Sequence, residues 1–258
     1  MSIFLPRTVS AVFAGVLSQD CTLCGVRSRE GLCADCHRDL PFRHGSVCPR
    51  CNAESIDSQL CGACLSTPPH FDATISAFRY AYPLDRLVQA YKFNANLALL
   101  PLFADALSAA ARAGHGAARP DLLIPLPLAP KRLAERGFNQ SALLGEQVSR
   151  ALGMRFEARG MLRIRETPPQ AGLSREARLK NVRGAFDCRK PLDGMRVAVV
   201  DDVMTTGATL SEAAKALKKA GAVHVSAWVL ARASFDRVLP VSGLQTVAFD
   251  ENKNESEK

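Results

Sequence analysis

The stretch Val197-Ala-Val-Val-Asp201-Asp202-Val-Met-Thr205-Thr206-Gly207-Ala208-Thr209 decides the fold of this 258-residue chain. Its four leading apolar residues predict a strand of a parallel sheet, because a strand buried on both faces needs no polar alternation. Two carboxylates follow, then small hydroxyl residues around a glycine, and then apolar residues at helical spacing from Leu210 to Ala220. This order of strand, acidic pair, loop and helix N-terminus predicts a phosphate-binding βα unit.

The loop has the chemistry to hold a sugar phosphate. Backbone N–H groups and threonine hydroxyls can surround the phosphate, and the helix dipole favours an anion there. The residues assigned to this role are Thr205, Thr206, Gly207, Ala208 and Thr209. Asp201 and Asp202 come directly before the loop and are expected to lie about the length of one sugar from it. They can therefore accept hydrogen bonds from the vicinal hydroxyls of a ribose whose phosphate the loop holds. An ordinary βα turn with a threonine N-cap is the alternative, but it does not account for the acidic pair.

Eight of the nine cysteines form four C-x-x-C pairs in the N-terminal quarter of the chain. They are Cys21/Cys24, Cys33/Cys36, Cys48/Cys51 and Cys61/Cys64. Because two such pairs complete a closed four-thiolate site, four pairs predict two structural zinc ions and no zinc catalysis. Sequential pairing is the simplest assignment. An interleaved arrangement and iron in a rubredoxin-like site are open alternatives, whereas a disulfide framework does not fit adjacent C-x-x-C pairs.

The charge is distributed unevenly. The chain carries a net charge of +8, and residues 119–196 hold sixteen Lys and Arg against eight Asp and Glu. Such a surplus favours a polyanionic ligand, namely pyrophosphate, a nucleotide or nucleic acid. Residues 18–70 hold five arginines against six acidic residues, and thiolates add negative charge. The cysteine-rich segment is therefore expected to act as a scaffold or protein-docking module rather than to bind DNA directly.

The chain divides into four predicted parts: a short N-terminal helix (1–17), a double zinc ribbon (18–67), an α/β domain (72–235) and a partly disordered tail (236–258). In the third part strands alternate with helices, which predicts a parallel α/β sheet flanked by helices, with a right-handed βαβ unit over residues 196–231. Residues 9–17 could pass as a weak signal segment, but Pro6 precedes them and only Arg7 is basic. We expect a cytoplasmic protein without a membrane span.

Two basic clusters accompany the phosphate loop. The first follows Pro125-Leu-Pro127 and contains Lys131, Arg132 and Arg136. It begins at the carboxyl end of a predicted strand, where α/β proteins bind ligands. The second, residues 163–183, is basic and poor in apolar residues, which predicts a mobile lid over a charged ligand; a solvated charged face is the alternative.

The combined pattern resembles the ComF/GntX family, competence-associated, phosphoribosyltransferase-like proteins with an N-terminal zinc ribbon. The resemblance covers residues 21–233 and rests on motifs in a fixed order. They are the four cysteine pairs, Tyr91-Lys92-Phe93, Pro125-Leu-Pro127, Arg136-Gly-Phe-Asn-Gln140, Gln170 with Arg175 to Val182, and Asp201 to Leu210. The resemblance implies a type I phosphoribosyltransferase fold that binds phosphoribosyl pyrophosphate (PRPP) and Mg²⁺. It also implies a link to DNA uptake or utilisation.

Carried over by position, the resemblance assigns Asp201 and Asp202 to the ribose hydroxyls and residues 205–209 to the 5-phosphate. Mg²⁺ would bridge pyrophosphate and hydroxyl oxygens, mostly with water as its remaining ligands. Basic residues are candidates for the pyrophosphate and for the lid. The pyrophosphate candidates are Lys92, Arg132 and Arg136, and the lid candidates are Arg175 and Arg178.

Three functions stay open at this point. The first is a type I phosphoribosyltransferase, a glycosyltransferase, with an unknown acceptor. Thr205 stands where 6-oxopurine salvage enzymes carry an aspartate, which disfavours hypoxanthine and guanine as acceptors. The second is a non-catalytic PRPP or nucleotide sensor acting with DNA-uptake proteins. The third is an adaptor that binds single-stranded DNA, for which Phe138 and the basic lid would serve, although aromatic stacking residues are otherwise sparse.

Overall fold

The computed structural model describes residues 19–28, 31–114, 119–165 and 181–233. The predicted N-terminal helix, the tail from residue 236 and most of the predicted lid, including Gln170, Arg175 and Arg178, lie outside the described residues. Within those ranges, no helix has both the length and the apolar character needed to cross a membrane.

A five-stranded parallel sheet forms the body of the protein, as the sequence predicts. The nine described strands are β1 (Gln19–Asp20), β2 (Arg27–Ser28), β3 (Ala73–Arg79), β4 (Leu122–Pro125), β5 (Arg155–Phe156), β6 (Leu162–Arg163), β7 (Phe186–Asp187), β8 (Arg196–Met204) and β9 (His224–Arg232). The main sheet has the order β3-β9-β8-β4-β5, with every neighbouring pair parallel. The pairs β1-β2 and β6-β7 are antiparallel.

Helices cover both faces of this sheet. The described α-helices are α1 (Ala34–Arg38), α2 (Gly62–Ser66), α3 (Leu84–Phe93), α4 (Leu100–Ala113), α5 (Pro130–Arg136), α6 (Gln140–Leu152) and α7 (Ala208–Lys219). Apolar residues of α3, α4 and α6 share one buried cluster with one face of β8 and β9. Residues of α7 share the second cluster with the opposite face and with three cysteines. Since β8, α7 and β9 follow one another, the predicted βαβ unit is confirmed.

Helix α6 begins against the carboxyl end of the sheet. The side chain of its N-cap, Asn139, accepts a hydrogen bond from the Ser141 N–H at 3.0 Å. The Asn139 amide also donates to the carbonyl of Leu126, just beyond β4, at 3.0 Å. Farther along the helix, a Cβ added to Gly145 would lie 2.9 Å from the Phe156 ring, so glycine permits the helix to lie close to the sheet. This packing fixes the first turn of α6 above the end of β8.

The eight paired cysteines form two groups, and the sequential pairing is confirmed. In each group, one ligand atom per cysteine lies within 4.8 Å of the others. The Sγ atoms of Cys24 and Cys33 are 3.7 Å apart, and those of Cys51 and Cys61 are 3.5 Å apart. Thiolates at ~2.3 Å from a tetrahedral zinc ion would be separated by roughly 3.8 Å. Both groups therefore fit a structural Zn²⁺ in a closed four-thiolate site.

The zinc ribbon is bound to the edge strand β3. The Arg43 N–H donates to the Ala77 carbonyl at 2.8 Å, and the Arg79 N–H donates to the Pro41 carbonyl at 2.9 Å. The rings of Phe42 and Phe78 pack beside these bonds with centroids 4.8 Å apart. The ribbon thus satisfies backbone groups that an edge strand would otherwise expose.

Asn52 makes a second connection between ribbon and sheet. Its buried amide donates to the Thr74 carbonyl at 3.3 Å and accepts from the Ser76 hydroxyl at 2.7 Å. Its backbone has φ = 55°, in the left-handed region that non-glycine residues rarely adopt.

We predict that Asn52→Ala lowers the free energy of unfolding by about 2 kcal/mol, because it leaves buried polar groups on β3 without their partners. Urea denaturation of the zinc-loaded chain measures this change. Asn52→Gly, which tolerates the positive φ, is the matched control and should cost somewhat less than alanine. Unchanged stability in both variants would contradict a role for Asn52 in docking the ribbon.

Candidate functional site

The loop between β8 and α7 has the geometry of an anion site. Gly207 is the N-cap of α7 with φ = 78°, and a Cβ there would lie 2.7 Å from Met204 Cε. The Thr206 hydroxyl accepts from the Ala208 N–H at 3.3 Å. The backbone N–H groups of Thr206 and Gly207 donate to no group in the part of the chain that the structure describes. Together with the start of a twelve-residue helix, they can bind a phosphate.

The acidic pair lies directly before this loop, on the last residues of β8. Asp201 Oδ1 accepts from the Ser141 hydroxyl at 3.0 Å and from the Asp202 N–H at 2.9 Å. Asp202 Oδ1 accepts from the Val203 N–H at 2.6 Å. The carboxylates are therefore held by α6 on one side and by the strand itself on the other. Their orientation is fixed before any ligand binds.

Lys92 supplies the cation that faces this pair. It is near the end of α3, and its Nζ lies 2.8 Å from Asp202 Oδ1, with the side chains 20% and 12% exposed. Burial by itself lowers the pKa of Lys92, but the charge and hydrogen bond of Asp202 raise it above its usual range. The lysine stays protonated at neutral pH. The site therefore contains a lysine ammonium beside the two carboxylates, which offsets part of their charge.

Asp201 has an unusual protonation equilibrium. Its burial, and then the charge of Asp202, raise its pKa to about 7, against the opposing effect of Lys92. Since the unfolded pKa is near 3.9, the folded protein takes up a proton, and the stability gained in this way is lost as the pH rises through about 7.

The other predicted pyrophosphate residues lie on α5. The guanidinium carbon of Arg136 lies 5.0 Å from the centroid of the Phe93 ring, the residue after Lys92. Arg132, one turn earlier on α5, makes no ion pair or hydrogen bond within the described residues. Phe138 packs on the buried ring of Tyr91 at 6.4 Å between centroids. The structure brings Lys92 to the acidic pair, whereas the contact of Arg136 is with the ring of Phe93 and Arg132 contacts neither.

Arg232, which the sequence reasoning did not identify, supports the loop from behind. It ends β9 and is 5% exposed. Its guanidinium donates to the carbonyls of Thr205 (2.6 Å) and Met204 (3.4 Å), and its Nε donates to the carbonyl of Cys51 (2.9 Å). One side chain thus joins the second cysteine group to the β8–α7 loop. The sequence signal was a single arginine closing an otherwise apolar strand.

Ser141 is a second residue that sequence reasoning missed. It is a short polar residue in the first turn of α6, and the sequence signal was the N-cap Asn139 that places this turn. The contact of Ser141 with Asp201 joins positions sixty residues apart, so a local sequence pattern cannot predict the contact itself.

Comparison with known proteins gives consistent results. A family model described as a double zinc ribbon domain matches residues 12–65, and one described as a phosphoribosyl transferase domain matches residues 142–254. The DNA utilization protein YhgH of Salmonella typhimurium is 35% identical over 219 residues, which cover 82% of this chain and 96% of the relative. The chain belongs to the ComF/GntX family.

Two further members of the family show how wide the similarity is. Competence protein F of Haemophilus influenzae is 35% identical over 213 residues, covering 80% of this chain and 92% of the relative. Competence protein ComFC of Bacillus subtilis is 27% identical over 229 residues, covering 83% and 91%. The alignments extend over both the ribbon and the sheet. The predicted fold class, a phosphoribosyltransferase-like α/β domain with an N-terminal double zinc ribbon, is confirmed.

We predict that Asp201→Asn stabilises the protein at alkaline pH, because asparagine accepts the same two hydrogen bonds without a buried charge. The stability difference between variant and parent should grow by about 1 kcal/mol between pH 6 and pH 8. Thermal unfolding at the two pH values measures it. Asp105→Asn, on the exposed side of α4, is the control and should show no pH-dependent difference; equal behaviour of both variants would refute the assignment.

Proposed function

We propose that this chain binds PRPP through the β8–α7 loop and transfers the phosphoribosyl group to an acceptor. The observation that carries the proposal is the juxtaposition at the end of β8. The oriented pair Asp201 and Asp202 stands next to a loop whose N–H groups at Thr206 and Gly207 have no acceptor among the described residues. A ribose 5-phosphate has the matching functional groups, two vicinal hydroxyls and one phosphate.

The reaction would be a displacement at the anomeric carbon of ribose. A bond forms between the acceptor nucleophile and this carbon, while the bond to the pyrophosphate oxygen breaks and pyrophosphate leaves with the electron pair. Asp201 and Asp202 would hold the ribose hydroxyls, and residues 205–209 would hold the 5-phosphate. Fixing the sugar in this way lowers the barrier by orientation. Lys92 would balance negative charge near the ring as the leaving group departs.

Mg²⁺ would supply charge neutralisation on the pyrophosphate. The two groups of candidate metal ligands among the described residues consist of cysteines alone, and Asp202 is already paired with Lys92. The protein residues therefore suit a cation brought by the substrate, held mainly by pyrophosphate and ribose oxygens with water. Arg132 and Arg136 remain our candidates for the pyrophosphate side.

The acceptor would approach over the exposed ring of Phe93. This ring is 69% exposed and stacks with Arg136, whereas Lys92, the preceding residue, contacts Asp202. An aromatic ring paired with a guanidinium binds flat heterocycles, including nucleobases. A base-containing acceptor is consistent with these groups. Thr205, in place of an aspartate, disfavours a 6-oxopurine.

We place this activity in DNA uptake or utilisation, in the cytoplasm. The names of the relatives, DNA utilization protein and competence protein, support that context. Eight reduced cysteines in two metal groups suit a reducing compartment. The division into a ribbon at 18–67 and a phosphoribosyltransferase-like domain at 72–235 is part of the proposal.

Isothermal titration with PRPP and Mg²⁺ tests the binding step. We expect one site per chain and a loss of about tenfold or more in affinity in Asp202→Asn, which removes a charged hydrogen-bond acceptor. Asp105→Asn is the matched control and should bind like the parent. No PRPP binding by the zinc-loaded parent would refute the proposal. Saturable binding without pyrophosphate release, across a panel of nucleobase acceptors, would instead support the sensor function.

Arg232→Met should weaken PRPP binding by about tenfold although Arg232 is positioned behind the loop, because three loop and ribbon carbonyls lose their donor. Arg232→Lys should retain part of the affinity. The control is Arg79→Met, an exposed arginine that pairs with Arg232 in the β3–β9 register. Titration calorimetry and zinc analysis of each variant give the result; parent-like affinity in Arg232→Met would show that the loop holds its shape without this support.

A further inference from the structure

A large cavity lies at the opposite end of the sheet from the phosphate loop. It has a volume of about 1120 Å³. Its wall includes the first residues of β3, β8 and β9 (Ala73, Arg196 and His224), the last turn of α4, and part of the zinc ribbon. Because β8 is nine residues long, Arg196 at its start is about 25 Å along the strand from Met204, where the loop begins. A small ligand held by Arg196 therefore lies outside the loop.

Buried hydrogen-bond donors without acceptors line this cavity. Ser226 and Trp228 stand two residues apart on β9 and are 4% and 3% exposed. Within the described part of the chain, neither the Ser226 hydroxyl nor the Trp228 Nε1–H has a partner. The Nε group of Arg196, which also lines the cavity, is likewise without an acceptor among the described residues. Buried donors in native proteins almost always have a partner, so three on one face of the sheet indicate a missing acceptor-rich occupant.

The charge of the wall indicates the sign of that occupant. Arg43 and Arg196 are cationic, and the Arg43 side chain is only 6% exposed. Asp72 is the one acidic residue among the described lining residues. Its carboxylate is already occupied, since Oδ1 pairs with Lys218 Nζ at 2.7 Å and Oδ2 accepts from the Val225 N–H at 2.8 Å. Arg43 is also engaged, since its guanidinium lies 3.8 Å from Glu54 Oε1 and donates to the Asn52 carbonyl at 2.8 Å. Arg196 makes no ion pair with any described residue, so it is the cation that remains for an occupant.

The rest of the wall is apolar. Ile75, which lies opposite Trp228 in the β3–β9 register, contributes to it. Leu152 and Met154 contribute from the end of α6 and beyond. Cavities that bind small molecules combine such apolar surface with a few polar groups that set orientation. This wall offers hydrogen-bond donors and apolar surface together.

We propose that this cavity is a second ligand site, and that it binds an organic anion whose acid group pairs with Arg196 and whose apolar or aromatic body lies against Ile75, Leu152 and Met154. The occupant accepts hydrogen bonds from Ser226 and Trp228. Its key contacts, Arg196, Ser226 and Trp228, are separate from the residues of the β8–α7 loop.

Trp228 makes the proposal measurable, because it is the single tryptophan of the chain. The probe is 8-anilinonaphthalene-1-sulfonate, an aromatic anion that accepts fluorescence energy from tryptophan. Added to the full-length zinc-loaded chain, it should bind at one saturable site and quench Trp228. The neutral analogue N-phenyl-1-naphthylamine, which lacks the sulfonate, should bind at least about tenfold more weakly.

Variants separate this site from other surfaces. Arg196→Gln and Ser226→Ala should each weaken sulfonate binding, the first by about tenfold. Ala111→Leu, which enlarges a residue of the wall on α4, should reduce binding by filling space. The control is Arg86→Gln, an exposed arginine of α3 away from the cavity, which should bind like the parent. The zinc content and the midpoint of thermal unfolding are measured for each variant, so that a loss of binding caused by unfolding is recognised.

Three outcomes of these titrations are decisive. If the sulfonate fails to quench Trp228, or if Arg196→Gln and Arg86→Gln bind it alike, the cavity is not an anion site. Displacement of the probe by PRPP would also refute it, because that would place the probe at the phosphate loop. Failure of PRPP to bind, with probe binding intact, would leave this inference standing and contradict only the proposed function.

Discussion

The buried guanidinium of Arg232 is the contact on which the candidate site depends. A buried cation is expensive unless every donor finds an acceptor, and here main-chain carbonyls provide the acceptors. Those carbonyls belong to the end of β8, the start of the loop and the second cysteine group. The Arg232 guanidinium thus holds the end of β8, the loop and the zinc ribbon together through hydrogen bonds. The loop conformation is consequently a property of the whole fold and not of its own five residues.

Charge compensation also determines the arrangement of the acidic pair that precedes the loop. Asp201 and Asp202 are adjacent in sequence, so their repulsion has to be offset within the site. Lys92 offsets it from α3, while Ser141 and backbone N–H groups supply hydrogen bonds. Burial and the charge of Asp202 raise the pKa of Asp201 to about 7, whereas Asp202 forms the ion pair with Lys92. Two adjacent aspartates thus have different partners within one site.

Much of the architecture could be predicted from local sequence. The βαβ unit follows from four apolar residues, an acidic pair and a helical repeat, and the zinc groups follow from the spacing of the cysteines. Both signals are short-range. The contacts of Ser141 and Arg232 join residues 60 and 181 positions apart, so only the folded chain reveals them. The cavity beneath β9 was equally hidden, because Ser226 and Trp228 look like ordinary strand residues until their missing partners are seen.

The attachment of the ribbon to β3 has a consequence for the autonomy of the α/β body. Main-chain bonds from Arg43 and to Pro41 cover the outer edge of β3, and the ring of Phe42 shields Phe78 beside it. Removing the cysteine-bearing segment would uncover a seven-residue strand with free amides, carbonyls and an aromatic flank. Such an edge pairs readily with another copy of itself. The zinc ribbon therefore protects the α/β domain against aggregation. Because the ribbon needs zinc to fold, the solubility of the chain depends on its zinc content.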